Sequence, residues 1–391
     1  MSRPDAPGPM ERRGPRPLLL HLMLAAMRSN ASIAALPNLR RVWPHWNATE
    51  GLADPDFAAA VVREALEQDA ALLAGIAAYR RHPWRRTLAD PPVVWSEGET
   101  RLLDYGGTGP TLFFVPSLVN RAYILDLAED ASFLRFLAAR GTHPLLLDWG
   151  WPGTIERQFT LTDYIAGRLD RALAALDRPV ILVGYCMGGL LALAAALRAP
   201  ARVRALALLA TPWDFHAEDA AAARSLATSL PILEPLMAAT GTLPIDALQT
   251  LFATLDPFGV TAKYRAFAAL DPASPRAIRF VALEDWLNDG VPLAAPVARE
   301  TLGGWYGENT TANGAWRIAG LPVNPAALAC PTLVATPARD RLVPPSSAAA
   351  LAAAIPGAAL IAPNAGHIGM IAGMSAPKAL WQPFGEWVAG L

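Results

Sequence analysis

The sequence predicts an α/β protein with a mainly parallel sheet flanked by helices, a helical cap insertion and a helical N-terminal extension. From residue 91 onward, short runs of branched apolar residues alternate with longer runs whose apolar residues recur at helical spacing. Strands that alternate with helices in this way form a parallel sheet covered on both faces. We predict strands at 93–95, 101–105, 111–115, 143–148, 180–183, 203–209, 331–335 and 359–362.

Composition limits the function classes. The chain has 391 residues, which is long enough for one large domain with an insertion or for two domains. Its net charge of −1 gives no electrostatic basis for binding nucleic acid, so we expect no nucleic-acid partner. Hydrophobic residues make up 53% of the chain and charged residues 17%, which leaves room for an exposed apolar surface. The two cysteines, Cys186 and Cys330, exclude a disulfide scaffold and favour a reducing, cytoplasmic compartment.

Two segments lack the strand pattern. Residues 1–16 are rich in Pro and Arg and predict a disordered leader, whereas residues 17–90 predict a helical region with helices at 17–27 and 54–81. The run 17–27 superficially resembles a signal peptide, but His21 interrupts it and Arg28 ends it. A short helix with an apolar face is therefore the stronger interpretation, and secretion is the alternative. The strand pattern also stops between residues 215 and 304, which predicts a helical cap within a catalytic domain of residues 91–391.

A predicted strand, a sharp turn and a helix meet around Cys186. The turn is Gly184-Tyr-Cys-Met-Gly188, and its outer glycines match a nucleophile elbow, in which a Cβ at either position would clash with a neighbouring strand or helix. A helix N-terminus stabilises negative charge, so a thiol placed there gains thiolate character. We therefore predict that Cys186 is a nucleophile; a small buried cysteine beside packing glycines is the alternative.

Asp340 and His367 complete a candidate triad with Cys186. Each of the three follows a predicted strand, and the carboxyl ends of parallel strands meet at one edge of a sheet. The chain order of nucleophile, acid and histidine is also that of α/β-hydrolase triads. Asp148 and Asp214 lie at strand ends as well and are rival acids. However, only Asp340 follows the elbow by several elements and precedes His367 by one helix and one strand. A solvated turn acid and a capping or core histidine are the alternatives.

Several motifs together resemble the polyhydroxyalkanoate synthases of the α/β-hydrolase superfamily. They are GYCMGG at 184–189, PSLVNRAYILD at 116–126, DWG at 148–150 with Pro152, TPWDF at 211–215, GHIG at 366–369, Trp286 with Asn288 and Asp289, and Asn313 with Gly314. The resemblance covers most of the chain from residue 101 to residue 391. In size the chain is most similar to the small catalytic subunit of two-component synthases. It departs from that subunit in its Pro/Arg-rich leader and its Ala-rich helices.

The resemblance implies an acyltransferase that polymerises 3-hydroxyacyl-CoA into polyhydroxyalkanoate and releases CoA. Cys186 would carry the acyl group as a thioester, His367 would take the thiol proton and Asp340 would orient the imidazole. Backbone N–H groups would hold the oxyanion. These are the N–H of Met187 and one from the loop that contains Val119 and Asn120.

The same resemblance implies the ligands and partners. We expect no cofactor beyond the CoA thioester substrate, and no metal. The partners would be hydroxyacyl-CoA, the polyester chain, a second synthase subunit or a second copy of the chain, and a granule surface.

Two other functions stay open. One is a Cys-dependent hydrolase, such as an intracellular polyester depolymerase or an acyl-CoA thioesterase, and the other is a non-catalytic granule-associated scaffold. A polymerase must keep water from its acyl thioester, so we expect the cap to cover Cys186 with an apolar pocket.

Overall fold

The chain folds into two compact units. A computed structural model describes residues 12–36 and 55–391. The first unit takes in the described residues up to Arg85 together with Gln249–Asn288, and the second comprises Arg86–Leu248 and Asp289–Leu391. The segment predicted as a cap is therefore divided between the two units.

The predicted disordered leader lies mostly outside the described residues, which begin at Arg12. Arg12 is buried, and its guanidinium donates to the two carboxylate oxygens of Asp285 at 2.6 and 2.9 Å. Tyr79 donates its hydroxyl to the same carboxylate at 2.9 Å. The disorder predicted for residues 1–16 therefore does not extend to Arg12.

The first unit is a small helical body. Its helices are Leu18–Ala35, Pro55–Arg81, Gly259–Ala268 and Pro275–Asn288. Apolar residues from all four helices share one core: Ala25, Leu72, Ile76, Tyr79, Tyr264, Phe267, Ala277 and Val281. This core explains why residues 249–288 join the N-terminal helices.

The N-terminal helix is longer than predicted. It continues past Arg28 to Ala35, because Arg28 and Ser29 both contact the Asp69 carboxylate, at 3.4 and 2.8 Å. Arg28 is thus part of a helix–helix contact and does not end the helix. Within the described part of the chain, this is the one helix with the length and composition to cross a membrane, and a signal sequence would meet the same criteria.

An eight-stranded sheet forms the centre of the second unit. Its strands are β1 (Val93–Glu97), β2 (Thr100–Asp104), β3 (Thr111–Val115), β4 (His143–Asp148), β5 (Val180–Tyr185), β6 (Val203–Leu209), β7 (Thr332–Ala335) and β8 (Ala359–Ile361). They are arranged in the order β1-β2-β4-β3-β5-β6-β7-β8. The pairs β1–β2 and β2–β4 are antiparallel and the others are parallel. All eight predicted strands are confirmed.

Strands β5 and β6 are central in the sheet, and this position explains their composition. Every residue of β5 is buried, and so is every residue of β6 except Arg204. Continuous apolar runs are required here because helices cover both faces of the sheet. Neighbouring strands on both edges and helices on both faces thus hold the carboxyl end of β5 in place before the chain turns at Cys186.

Helices pack around the sheet, and further helices form the rest of the predicted cap. The flanking helices are Phe133–Ala138, Asp170–Ala174, Met187–Arg198, Pro345–Ala354, Gly369–Ala372 and Gln382–Ala389. The other helices between β6 and β7 are Ala220–Ala227, Leu230–Thr240, Ile245–Ala253 and Ala295–Arg299. Among the residues that the structure describes, three segments are π-helical: Asp163–Leu169, Glu300–Gly307 and Pro377–Trp381. A short antiparallel pair, Thr242–Leu243 with Leu293–Ala294, lies within the cap.

Candidate active site

Cys186 occupies a strained turn between β5 and the helix Met187–Arg198. Its backbone has φ 57° and ψ −131°, a conformation that residues with a Cβ rarely adopt. The Cys186 N–H donates to the carbonyl of Leu209 at 2.9 Å, which ties the turn to the end of β6. Cys186 is partly exposed. A strained and accessible cysteine matches the predicted elbow better than it matches a small core residue.

The glycines of the turn are required by close backbone approach. A Cβ on Gly184 would overlap the Cα of Gly189, and a Cβ on Gly188 would overlap the carbonyl of Val115. Likewise, a Cβ on Gly189 would overlap the hydroxyl of Thr211. The elbow helix therefore lies directly against the ends of β3 and β6, as the glycine pattern predicted.

Asp340 and His367 meet beside Cys186. The Asp340 Oδ2 and His367 Nδ1 atoms are 2.6 Å apart, and both side chains are buried. The other carboxylate oxygen of Asp340 accepts from the backbone N–H groups of Leu342 and Val343 at 2.8 and 2.9 Å, which fixes the carboxylate. The Cys186 side chain lies close enough to the imidazole to raise the pKa of His367. Because Nδ1 faces the carboxylate, Nε2 is the nitrogen left to face the sulfur.

The surroundings favour the protonated form of His367. Burial alone lowers the pKa of this imidazole, but the negative charge of Cys186 and the hydrogen bond with Asp340 outweigh it and raise the pKa to about 10. At neutral pH the geometry thus supports an imidazolium next to the Cys186 sulfur. Such a pair supplies both a nucleophile and a proton donor.

The two rival acids have other partners. Asp148 accepts from Arg101 at 2.8 Å and from the backbone N–H of Gly150 at 3.1 Å. Asp214 accepts from the Asn309 amide at 2.8 Å and from a backbone N–H two residues further on. Of the three candidate carboxylates, the structure brings Asp340 to His367.

The predicted oxyanion donors lie in the elbow helix and in the loop that follows β3. Met187 is in the first turn of its helix, where backbone N–H groups have no acceptor within the helix. The Val119 N–H donates to the Ser117 hydroxyl at 3.2 Å, so it would have to exchange that partner for a substrate oxygen. Asn120 pairs with Gly290 in an isolated antiparallel bridge. Among the described residues, the carboxamide oxygen of Asn120 is buried without a hydrogen-bond partner.

Tyr185 belongs to the site, and Tyr306 lies near enough for the charge of Cys186 to affect its pKa, although the sequence identified neither. The Tyr185 ring stacks on the His367 imidazole with centroids 5.1 Å apart, and its hydroxyl donates to the His367 carbonyl at 3.2 Å. Tyr306, from the π-helical segment, has its pKa raised to about 12 by burial and by the charge of Cys186. The place of Tyr185 inside the elbow motif was a usable signal, whereas no periodicity marks Tyr306. Within residues 12–36 and 55–391, no cluster of three or more His, Cys, Asp or Glu residues could hold a metal ion.

Comparison with known proteins gives three kinds of match. The family model described as the alpha/beta hydrolase fold matches residues 152–373, a range that contains Cys186, Asp340 and His367. Poly(3-hydroxyalkanoate) polymerase subunit PhaC of Allochromatium vinosum is 31% identical over 288 residues, which cover 71% of this chain and 80% of that one. The protein of the same name from Thiocystis violacea is 30% identical over 311 residues, with 75% and 86% covered. The protein of the same name from Haloferax mediterranei is also 30% identical over 311 residues, which cover 76% of this chain and 63% of that one.

Among solved structures, the thioesterase domain from the curacin biosynthetic pathway is 16% identical with a TM-score of 0.47, over 75% of this chain and 95% of that one.

Proposed function

Because this chain belongs to the polyhydroxyalkanoate synthase family of the α/β-hydrolase superfamily, we propose that it polymerises 3-hydroxyacyl-CoA into polyester through a thioester on Cys186. The observation that carries the proposal is the hydrogen-bonded pair of His367 and Asp340 beside Cys186, which lies at a nucleophile elbow. A family of polyester polymerases and a chemically complete acyl-transfer site thus support the same reaction.

The first step is acylation of Cys186. The sulfur attacks the thioester carbonyl carbon of hydroxyacyl-CoA, and the oxyanion that develops is held by the Met187 N–H and by an N–H from the neighbouring loop. The carbon–sulfur bond to CoA then breaks, and the imidazolium of His367 gives its proton to the departing CoA thiolate. A thioester replaces a thioester, so the acyl group stays activated at little change in free energy.

The second step transfers the acyl group to a hydroxyl. The terminal hydroxyl of a growing chain attacks the acyl carbon on Cys186, and His367, now neutral, accepts the hydroxyl proton. An ester bond forms, the bond to Cys186 breaks, and the sulfur leaves as a thiolate beside the imidazolium. The resting state of the pair is restored with the chain one unit longer.

A thioesterase would use the same three side chains, with water in place of the chain hydroxyl. The choice of nucleophile favours synthesis, because a cysteine keeps the acyl group at the thioester level, which is more reactive toward a hydroxyl than the oxyester formed on a serine. Cys186 is partly exposed. We therefore expect the bound polyester or a partner subunit to contribute to the exclusion of water.

The test is a product balance with 3-hydroxybutyryl-CoA. We expect each CoA released to be matched by one unit of insoluble polymer, and Cys186→Ala to release no CoA. Cys330→Ala is the matched control, since it removes the other partly exposed cysteine outside the elbow and should keep activity. CoA release matched by free hydroxy acid would replace the proposal with the thioesterase.

We also propose that the protein is cytoplasmic and works at a granule surface with a second subunit or a second copy of itself. The names of the relatives call each of them a polymerase subunit, and the N-terminal helix offers an apolar face. Leu19, Met23 and Met27 recur every fourth residue along it and are 70%, 55% and 64% exposed. Fractionation of cells that accumulate polymer, with these three residues replaced by Ser, tests this location.

A further inference from the structure

Tyr185 is held firmly beside the nucleophile. It is the last residue of β5, and its backbone pairs with Leu209 at the end of β6. Only 4% of the residue is exposed. Because one peptide bond joins Tyr185 to Cys186, a contact made by the Tyr185 side chain is fixed relative to the nucleophile.

His367, in contrast, lies on a loop at the edge of the sheet. Residues 362–368 follow β8, which is an edge strand. The backbone N–H groups of Ala338 and Arg339 donate to carbonyls of this loop at 2.9 and 3.0 Å. These bonds join the histidine loop to the loop that carries Asp340. The distance from the two loops to the nucleophile depends on other contacts.

Tyr185 supplies such a contact at two points of His367. Its ring stacks on the imidazole with centroids 5.1 Å apart and planes inclined by 30°. Its hydroxyl donates to the His367 carbonyl at 3.2 Å. Burial is the main reason why the pKa of this phenol is well above its usual value, so the hydroxyl keeps its proton. Since Asp340 contacts Nδ1, the imidazole is held at its edge by Asp340 and at its face by Tyr185.

The position of the imidazole decides how well it serves Cys186. A displacement of about 1 Å in a catalytic group can cost about 100-fold in rate. The face of a phenol ring also carries partial negative charge, so stacking favours the imidazolium over the neutral ring. A tyrosine at residue 185 therefore favours both the geometry and the protonation state that the thiol requires.

We propose that Tyr185 is a positioning residue, which holds the His367 imidazole within reach of the Cys186 sulfur through its stacked ring and its hydroxyl. The inference rests on the proposed function, because that function assigns the proton transfers of the reaction to His367. Tyr185 itself takes no part in proton transfer and acts on the reaction through the histidine.

The experiment measures alkylation of Cys186 by iodoacetamide at pH 7, with the Cys186 and Cys330 peptides resolved by mass spectrometry. The rate at Cys186 reports the thiolate that the imidazolium stabilises, and it requires no substrate. Tyr185→Phe keeps the stacked ring and loses the hydroxyl, so we expect Cys186 to react about twofold to tenfold more slowly. Tyr185→Leu loses both contacts and should slow the reaction by about tenfold to 100-fold. The rate at Cys330 should stay unchanged, as it would in a folded protein.

A second background separates positioning from a structural role. If Tyr185 acts through His367, Tyr185→Phe should cause no further slowing in a His367→Ala protein. Tyr105→Phe removes a hydroxyl that contacts Asp126 and is the matched control, which should leave the alkylation of Cys186 unchanged. Single-turnover release of CoA from 3-hydroxybutyryl-CoA should rank the Tyr185 variants in the same order as alkylation does.

The inference is overturned if Tyr185→Phe alkylates as fast as wild type. It is also overturned if Tyr185→Phe slows the reaction equally in the wild-type and His367→Ala backgrounds, since the tyrosine would then not act through the histidine. Both results come from the phenylalanine variant, so they do not depend on whether Tyr185→Leu folds. Rapid alkylation of Cys186 in a wild-type protein that releases no CoA would refute the proposed function and leave the role of Tyr185 intact.

Discussion

Replacement of Asp340 by Asn tests the acid of the triad. The asparagine oxygen can still accept from the backbone N–H groups of Leu342 and Val343. The substitution therefore acts mainly on the 2.6 Å contact with His367, because the carboxylate charge at residue 340 is removed. A hydrogen bond to a charged group contributes about 1.5 to 3 kcal/mol, and we expect the variant to lose that much free energy of unfolding near pH 6.5. The carboxylate both orients the imidazole and stabilises the imidazolium, and the variant loses both effects. The rate of CoA release should therefore fall by about 100-fold to 10,000-fold.

The effect of Asp340→Asn on the free energy of unfolding should decrease as the pH rises. The pKa of His367 is about 10 in the folded protein, above the ordinary value of about 6.5. Its stabilising contribution is thus fully present below about pH 6.5 and is lost as the pH rises toward 10. The difference in unfolding free energy between wild type and Asp340→Asn should accordingly shrink over this window, as measured by urea denaturation at several pH values.

Asp148→Asn is the matched control for this experiment. Asp148 also lies at a strand end, but its carboxylate pairs with Arg101, so its loss should change CoA release only severalfold. The reasoning is refuted if Asp148→Asn is as damaging as Asp340→Asn. It is equally refuted if the stability difference of Asp340→Asn grows between pH 6.5 and pH 10.

Three other substitutions test separate parts of the structure. Cys186→Ala should abolish CoA release and leave the thermal midpoint nearly unchanged, and Cys186→Ser should retain only weak transfer, because a hydroxyl is a poorer nucleophile than a thiolate; full activity of the serine variant would contradict this. Gly188→Ala places a Cβ against the Val115 carbonyl, so we expect a loss of soluble folded protein, and a wild-type melting curve would show that the elbow is looser than described. Asp126→Asn removes the charge of a fully buried carboxylate that pairs with Arg135 and Arg86. It should cost about 3 to 5 kcal/mol of unfolding free energy, and a loss below about 1 kcal/mol would show that this pair is not stabilising.

The elbow and the sheet were predictable because their constraints are local. Buried central strands must be continuously apolar, and the turn at Cys186 requires glycine at fixed positions, so both features are visible in the sequence. Asp340 was identified from its place after a predicted strand and from its position in the chain between the elbow and His367, since parallel strands bring their carboxyl ends to one edge.

Other features depend on contacts between distant segments. The helices Gly259–Ala268 and Pro275–Asn288 share a core with the N-terminal helices through Tyr79 and Tyr264, and their helical pattern does not reveal which partner they pack against. The Tyr306 ring meets the Phe215 ring edge to face, and no spacing in the sequence encodes that contact. The length of the N-terminal helix was underestimated because Arg28, which looks like a stop, pairs with Asp69.

The central claim is that Cys186 carries the acyl group and passes it to a chain hydroxyl. Labelled 3-hydroxybutyryl-CoA is mixed with a stoichiometric amount of enzyme, the Cys186 peptide is examined by mass spectrometry, and unlabelled substrate is then added. We predict a labelled acyl group on Cys186 that moves into insoluble polymer during the chase. An unmodified Cys186, or label that leaves as free 3-hydroxybutyrate, would contradict the account.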